Sequence, residues 1–320
     1  MKELFRLEEK PFKGLFALEW VMLAYLTFTL ALIFFSQTRL VNPDAMVGMR
    51  VRVLFTTAAL YVVYRLVPCR LTRLFRVGLQ VWLLGDWYPD TYEFNRILPN
   101  LDHVFAQWEQ AVFGFQPALL FSEKMPYAVF SELLDIGYVS YYPLIALTLL
   151  FYFFRRYDEF LRASFIVLSS FFIFYVVFLF LPVAGPTFYY LAVGMEQITE
   201  GVFPSVGDYF NTHQACLPTP GYVDGFCYYL VEVAKEAGER PTAAFPSSHV
   251  GVTTVLMWLA WHTRCRRLFY IMLPFAVLMF FATFYIQAHY AIDAVAGLVT
   301  GTLLYFVLLF ISKNGVRKRG

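Results

Sequence analysis

Four apolar runs restrict this chain more than any other feature. Trp20–Gln37, Ala163–Val183, Leu268–Gln287 and Tyr290–Ile311 are each at least 18 residues long, and Asp293 is the one charge among them. About 20 apolar residues in helix cross a bilayer, where no water can satisfy an exposed backbone. The four runs therefore predict membrane spans. Composition agrees, because 59% of the 320 residues are hydrophobic and 15% charged, against roughly 45–50% and about 25% in soluble domains. The expected fold is an all-α polytopic membrane helix bundle.

Three shorter stretches complete the expected spans: Val51–Val67, Leu133–Phe154 with Asp135 near one end, and His249–Trp261 with Pro246-Ser247-Ser248 in or before its first turn. The apolar run at Trp20–Gln37 exceeds that of a cleavable leader, so it reads as a retained anchor. Basic residues gather on the cytoplasmic side of membrane proteins. Arg155, Arg156 and Arg162, then Arg264, Arg266 and Arg267, then Lys313, Arg317, Lys318 and Arg319 each follow a span. If all three groups are cytoplasmic, Pro182–Pro246 and the Gln287–Tyr290 turn lie on the opposite face, with both termini cytoplasmic.

A fourth basic group, Arg65, Arg70, Arg73 and Arg76, leaves one crossing missing before Leu133. Leu74–Phe94 is the candidate. Its second half carries Asp86, Pro89, Asp90 and Glu93, so it reads as a helix lining a cavity, or else as an interfacial amphipathic helix. Asn95–Tyr127 reads as a surface or interfacial stretch. The division expected is 1–130 for N-terminal membrane and interfacial helices and 131–320 for a catalytic membrane domain, the two forming one structural unit.

The balance of 25 Lys and Arg against 23 Asp and Glu is too even for a nucleic-acid binder. Cys69, Cys216, Cys227 and Cys265 match no zinc spacing. Cys216 and Cys227 share one polar loop, where pairing is open. No metal or other cofactor is expected.

Two of the five histidines fall where this topology brings them together. His249 follows Phe245-Pro246-Ser247-Ser248, and His289 stands in Gln287-Ala288-His289-Tyr290-Ala291-Ile292-Asp293. His103, His213 and His262 have no such company and read as ordinary polar residues. On a helix, His289 and Asp293 share a face. An aspartate accepting one ring N–H leaves the other nitrogen free to attack. Gly297 and Gly301 continue that face with spacing that lets another helix approach. Ser247 and Ser248 suit the start of a helix, whose unpaired N–H groups attract a phosphate, and His249 is placed to protonate a leaving oxygen.

Phe-Pro-Ser-Ser-His and His-Tyr-x-x-Asp-x-x-Ala-Gly resemble the second and third motifs of the type 2 phosphatidic acid phosphatase superfamily, and in particular its inositol phosphorylceramide synthase-like (inositolphosphotransferase) branch. The resemblance implies a six-helix phosphatase/phosphotransferase-type core with extra N-terminal helices. It begins near Leu133, and its motifs lie in Pro182–Gly301. The phosphatase Lys-x6-Arg-Pro motif is missing, Lys235-x4-Arg240-Pro241 being too short, and Ala282-Thr283 stands where a Ser-Arg pair is usual. Leu181-Pro182-Val183-Ala184-Gly185-Pro186 is instead similar to the Pro-rich first motif of the synthase-like branch.

This resemblance implies an enzyme that works through a phosphohistidine on His289, with Asp293 and His249 catalytic. Ser247, Ser248 and Arg240 would bind phosphate, and Gly185, Pro186 and Tyr189 would bind substrate. The partners implied are the bilayer, a phospholipid donor and a lipid alcohol acceptor such as ceramide. The head group moved would be phosphorylated, for example inositol phosphate. A lipid phosphate or polyprenyl pyrophosphate phosphatase is the alternative within the superfamily, and a lipid transporter the alternative outside it. The aromatic-rich Pro182–Pro246 segment is expected either to cover the site as a lid or to form an ordinary interfacial aromatic belt.

Overall fold

The computed structural model describes residues 2–317, so Lys318 and Arg319 of the basic tail lie outside it. Among the described residues the regular secondary structure is all helix, with one isolated β-bridge between Leu7 and Cys69. In chain order the helices are α1 (Lys2–Phe5), α2 (Ala17–Ser36), α3 (Pro43–Leu66), α4 (Arg70–Trp82), α5 (Leu84–Asn95), α6 (Asp102–Phe113), α7 (Pro117–Lys124) and α8 (Ala128–Val139). There follow α9 (Tyr141–Arg155), α10 (Tyr157–Phe180), α11 (Pro186–Val193), α12 (Met195–Thr199), α13 (Phe226–Gly238), α14 (Ser248–His262), α15 (Arg266–Tyr285) and α16 (Ala291–Arg317). The helices α2, α3, α10, α15 and α16 are long and apolar enough to cross a membrane, and α8 with α9 makes a sixth candidate. The chain is an integral membrane helix bundle.

Hydrogen bonds define two ends of this bundle. At one end Tyr157 Oη donates to Glu8 Oε1 at 3.0 Å, Arg73 pairs with Glu8, and Arg156 donates to the Thr263 carbonyl at 2.6 Å. Arg70 stacks there over Tyr157. Basic residues from the loop regions after α3 and α9 thus gather at one end, together with the loop after α14. At the other end, Asn95 Nδ2 donates to the Phe178 carbonyl at 2.7 Å and Ala244 N–H to the Val183 carbonyl at 3.0 Å.

The Leu74–Phe94 stretch forms two helices, α4 and α5, running from the basic end to Asn95, and neither is long and apolar enough to stand among the span candidates. Its acidic residues are ion-paired, Glu93 with the nearby Arg96 at 3.4 Å. Asp90 pairs with Arg50 of α3 at 2.6 Å and Asp86 with Arg52 at 2.8 Å. Arg76 makes a two-bond pair with Glu19 of α2, at 2.6 and 2.5 Å. Both partners of the Arg50–Asp90 and Arg76–Glu19 pairs are buried. Removing one partner from such a pair costs about 3–5 kcal/mol, because the other charge is stranded.

Leu133–Phe154 is a bent pair rather than the straight span expected: α8 and α9 meet at Ser140 at 49°. Pro143, in the first turn of α9, supplies no N–H and clashes with a carbonyl one turn back. The bend sets Tyr138 and Tyr141 on either side of it.

Close packing of α14 on α16 follows the glycine pattern. A Cβ at Gly301 would lie 2.9 Å from the Gly251 Cα, and one at Gly297 3.2 Å from the Val250 Cβ. Gly251 abuts both glycines, so the start of α14 sits on the first turns of α16.

Candidate active site

The catalytic candidates converge where α14 and α16 begin. His289 is not on the last helix but in the turn before it, between the end of α15 and Ala291. Gln287, with φ +65°, turns the chain in the left-handed region. This conformation costs a non-glycine residue about 1–2 kcal/mol and is held from both sides. The Gln287 carbonyl accepts Thr187 N–H at 2.8 Å, and His289 N–H donates to the Thr283 carbonyl at 3.0 Å.

His289 Nδ1 lies 2.7 Å from the Ala244 carbonyl oxygen. A carbonyl only accepts, so Nδ1 carries the proton and Nε2 keeps its lone pair. Nε2 faces His249 Nδ1 at 3.4 Å. Asp293 does not take the ring N–H as the i, i+4 spacing suggests. Its Oδ2 is 3.7 Å from Nδ1 and accepts Tyr290 N–H at 2.9 Å, capping α16. The difference follows from His289 lying outside the helix, where the four-residue spacing no longer stacks the two side chains.

His249 stands in the first turn of α14. Its ring stacks on Tyr138 at 4.8 Å and lies against Tyr141 at 4.5 Å, so the α8–α9 bend builds one wall of the site. Ser247 is the N-cap. Its Oγ accepts Val250 N–H at 3.4 Å and the residue is fully buried, so this hydroxyl supports the turn. The N–H groups of Ser248 and His249 precede the first intrahelical bond, Gly251 N–H to the Ser247 carbonyl, and have no acceptor within the helix.

Other expected ligands are placed differently. Arg240 is exposed, with its guanidinium on Gln214 at 2.9 Å. Gly185, Pro186 and Tyr189 are buried. Gly185, at φ +94°, passes so close to Ala288 that a Cβ would lie 2.5 Å from its carbonyl oxygen, and Tyr189 Oη donates to the Pro204 carbonyl at 2.8 Å. These residues shape the turn that presents His289. Lys235 is likewise held, its Nζ 2.7 Å from the Leu217 carbonyl. Cys216 and Cys227 are both free. His262 sits at the basic end beside Glu159 and Arg162, and His213 stacks on Tyr209. The aromatic segment divides: Phe188, Tyr189, Tyr190, Phe203 and Phe210 are buried, while Tyr222, Phe226 and Tyr229 are exposed.

Two acidic residues beneath the site come from the stretch read as surface. Asp102 opens α6 and accepts Ala184 N–H at 2.7 Å, Gly185 N–H at 2.8 Å, Asn100 Nδ2 at 2.6 Å and Tyr290 Oη at 3.1 Å. It ties the turn before α11 to the turn before α16. Burial still raises its carboxyl to about 6. Glu109 lies two helical turns further along α6, on the same face, and accepts Ile292 N–H at 3.2 Å. Their seven-residue spacing is the sequence signal that identifies them, once α6 is known to be a helix.

No curated protein and no solved structure matches the chain. Residues 103–307, well over half of the chain and including both histidines and the bent pair that walls them, match the family profile of the PAP2 superfamily. With a histidine pair at the end of a membrane helix bundle and a match of that extent, the chain belongs to the PAP2 superfamily, a family of phosphatases and phosphotransferases.

Proposed function

We propose that this protein is a phosphotransferase that moves a phospho-head group from a membrane phospholipid to a second lipid alcohol, through a phosphohistidine on His289. The observation that carries this reading is the geometry of His289, with Nδ1 held on the Ala244 carbonyl and Nε2 directed at His249 Nδ1 3.4 Å away. The phosphoryl group enters between the two rings. His289 Nε2 attacks phosphorus, the bond from phosphorus to the leaving oxygen breaks, and that oxygen takes a proton from His249. The acceptor hydroxyl then gives its proton to His249 as its oxygen attacks phosphorus and releases His289. The first-turn N–H groups of α14 receive the phosphoryl oxygens, and Asp293 offsets the charge of the imidazolium.

The departures from the phosphatase motifs at Ala282-Thr283 and around Arg240 support transfer over hydrolysis. The proposed orientation puts the histidine end on the non-cytoplasmic side and the basic end in the cytoplasm, as the arginine clusters require. The direct test is to trap the purified protein with phosphorus-labelled donor. An acid-labile, base-stable phosphoenzyme that is absent from His289→Ala supports the mechanism; turnover without such an intermediate overturns it.

A further inference from the structure

Glu109 and Asp293 are both fully buried, and each presents one oxygen to the same helix start. Glu109 Oε2 accepts Ile292 N–H at 3.2 Å, and Asp293 Oδ2 accepts Tyr290 N–H at 2.9 Å. Their other oxygens, Glu109 Oε1 and Asp293 Oδ1, are buried without any hydrogen-bond partner among the described residues. The two carboxyl groups thus come from different elements, α6 and α16, to N–H groups two residues apart.

Two ionised carboxylates in that arrangement would be unstable for two reasons. A carboxylate only accepts, so neither group could satisfy the other's orphan oxygen. Two like charges taken out of water also repel, and one of such a pair keeps its proton. A single proton between them removes both penalties. The titratable groups facing Glu109 include no compensating cation: they are Asp293 at the start of α16 and Tyr190 on α11, whose hydroxyl is already bonded to Gln116.

We propose that Glu109 is a positioning residue that keeps its carboxyl proton and donates it to Asp293 Oδ1, so that a single negative charge backs His289. Burial, with the Asp293 charge beside it, raises the Glu109 carboxyl to about 8, which leaves it protonated at neutral pH. Asp293 then has two donors, the Tyr290 N–H and the Glu109 O–H, which favour its ionised form against the cost of its burial. It is held 3.7 Å from His289 Nδ1, where the imidazolium charge develops. Losing the Glu109 proton at higher pH places a second charge in the same pocket and disturbs Asp293 rather than the substrate.

This inference rests on the role proposed for His289 and Asp293, so its first readout uses the resting protein without substrate. Infrared titration of the purified full-length protein is expected to show the C=O stretch of a protonated carboxylic acid, bleaching as pH passes about 8. Glu109→Gln is expected to lack that band. Its amide still donates to Asp293, so kcat should fall by less than about tenfold with KM unchanged, and the alkaline limb of the kcat profile near that pH should disappear. Glu109→Ala, which strands Asp293 Oδ1, should lose about 10–100-fold in kcat. If Glu109→Ala does not fold, the near-isosteric Gln variant decides. The absence of the infrared band in the parent, its persistence in Glu109→Gln, or superimposable pH profiles would overturn the proposal. A band that behaves as expected in a protein that forms no phosphoenzyme would support the proton assignment and count against the phosphohistidine alone.

Discussion

The imidazole of His289 is oriented by the carbonyl oxygen of Ala244, 2.7 Å from Nδ1, and not by the aspartate four residues after it. Ala244 is fixed in turn by its N–H bond to the Val183 carbonyl at 3.0 Å. The proposed nucleophile therefore depends on backbone that no side-chain substitution removes.

The two residues should consequently respond differently to mutation. His289→Ala is expected to abolish turnover in a protein that still folds, since the ring supplies covalent chemistry from a turn held by other bonds. Where an aspartate alone fixes the tautomer, its replacement by asparagine costs about 10,000-fold. Here Asp293→Asn should cost only about 10–100-fold, the worth of one interaction with a charged group. Steady-state rates of both variants, normalised to folded protein, check this. A loss at Asp293→Asn equal to that of His289→Ala would mean that the aspartate sets the tautomer after all.

In the proposed mechanism His249 moves protons rather than bonding phosphorus. His249→Ala should lose about 100–10,000-fold with the natural type of donor, the usual worth of a general acid. A nitrophenyl phosphodiester, whose leaving oxygen needs no proton, should recover most of the formation of the phosphoenzyme. If the activated ester is no better a substrate for the variant than the lipid is, His249 has another role.

What the sequence made legible, and what it hid, divides along the range of the interactions. The apolar runs declared the spans because each is a local pattern. His249, His289 and Gly297 could be brought together because the basic clusters fixed which helix ends coincide. Asp102 and Glu109 escaped because α6 is short and mixed in polarity, with Trp108 and Val112 exposed on its outer face. Nothing near them in sequence shows that their partners lie beyond residue 180. The pair Arg50–Asp90 is hidden in the same way, across forty positions. The break at Ser140 had its signal in Pro143, which the apolar run around it masked.

The orientation of the bundle leads to a labelling prediction. Ser205 is exposed in the Pro182–Pro246 segment at the histidine end. An engineered Ser205→Cys, in a background with the four native cysteines replaced, should react with an impermeant maleimide added from the non-cytoplasmic side of sealed vesicles. Reaction only after permeabilisation would place the histidine end in the cytoplasm and reverse the assignment.

The choice between an alcohol and water depends on what surrounds the phosphohistidine. The Pro182–Pro246 aromatics do not act as one lid, since Phe188, Tyr189, Tyr190, Phe203 and Phe210 pack into the interior. Aromatic walls come from elsewhere: Tyr138 and Tyr141 lie against His249. Under the proposed mechanism, these walls limit water beside the intermediate on His289. With labelled phospholipid and a long-chain lipid alcohol in excess, the head-group phosphate should therefore appear on the alcohol faster than in water-soluble products. Replacing Tyr138 by Ser should shift the ratio toward hydrolysis by admitting water beside His249. Soluble phosphate dominating in the parent, even with saturating acceptor, would make the protein a hydrolase.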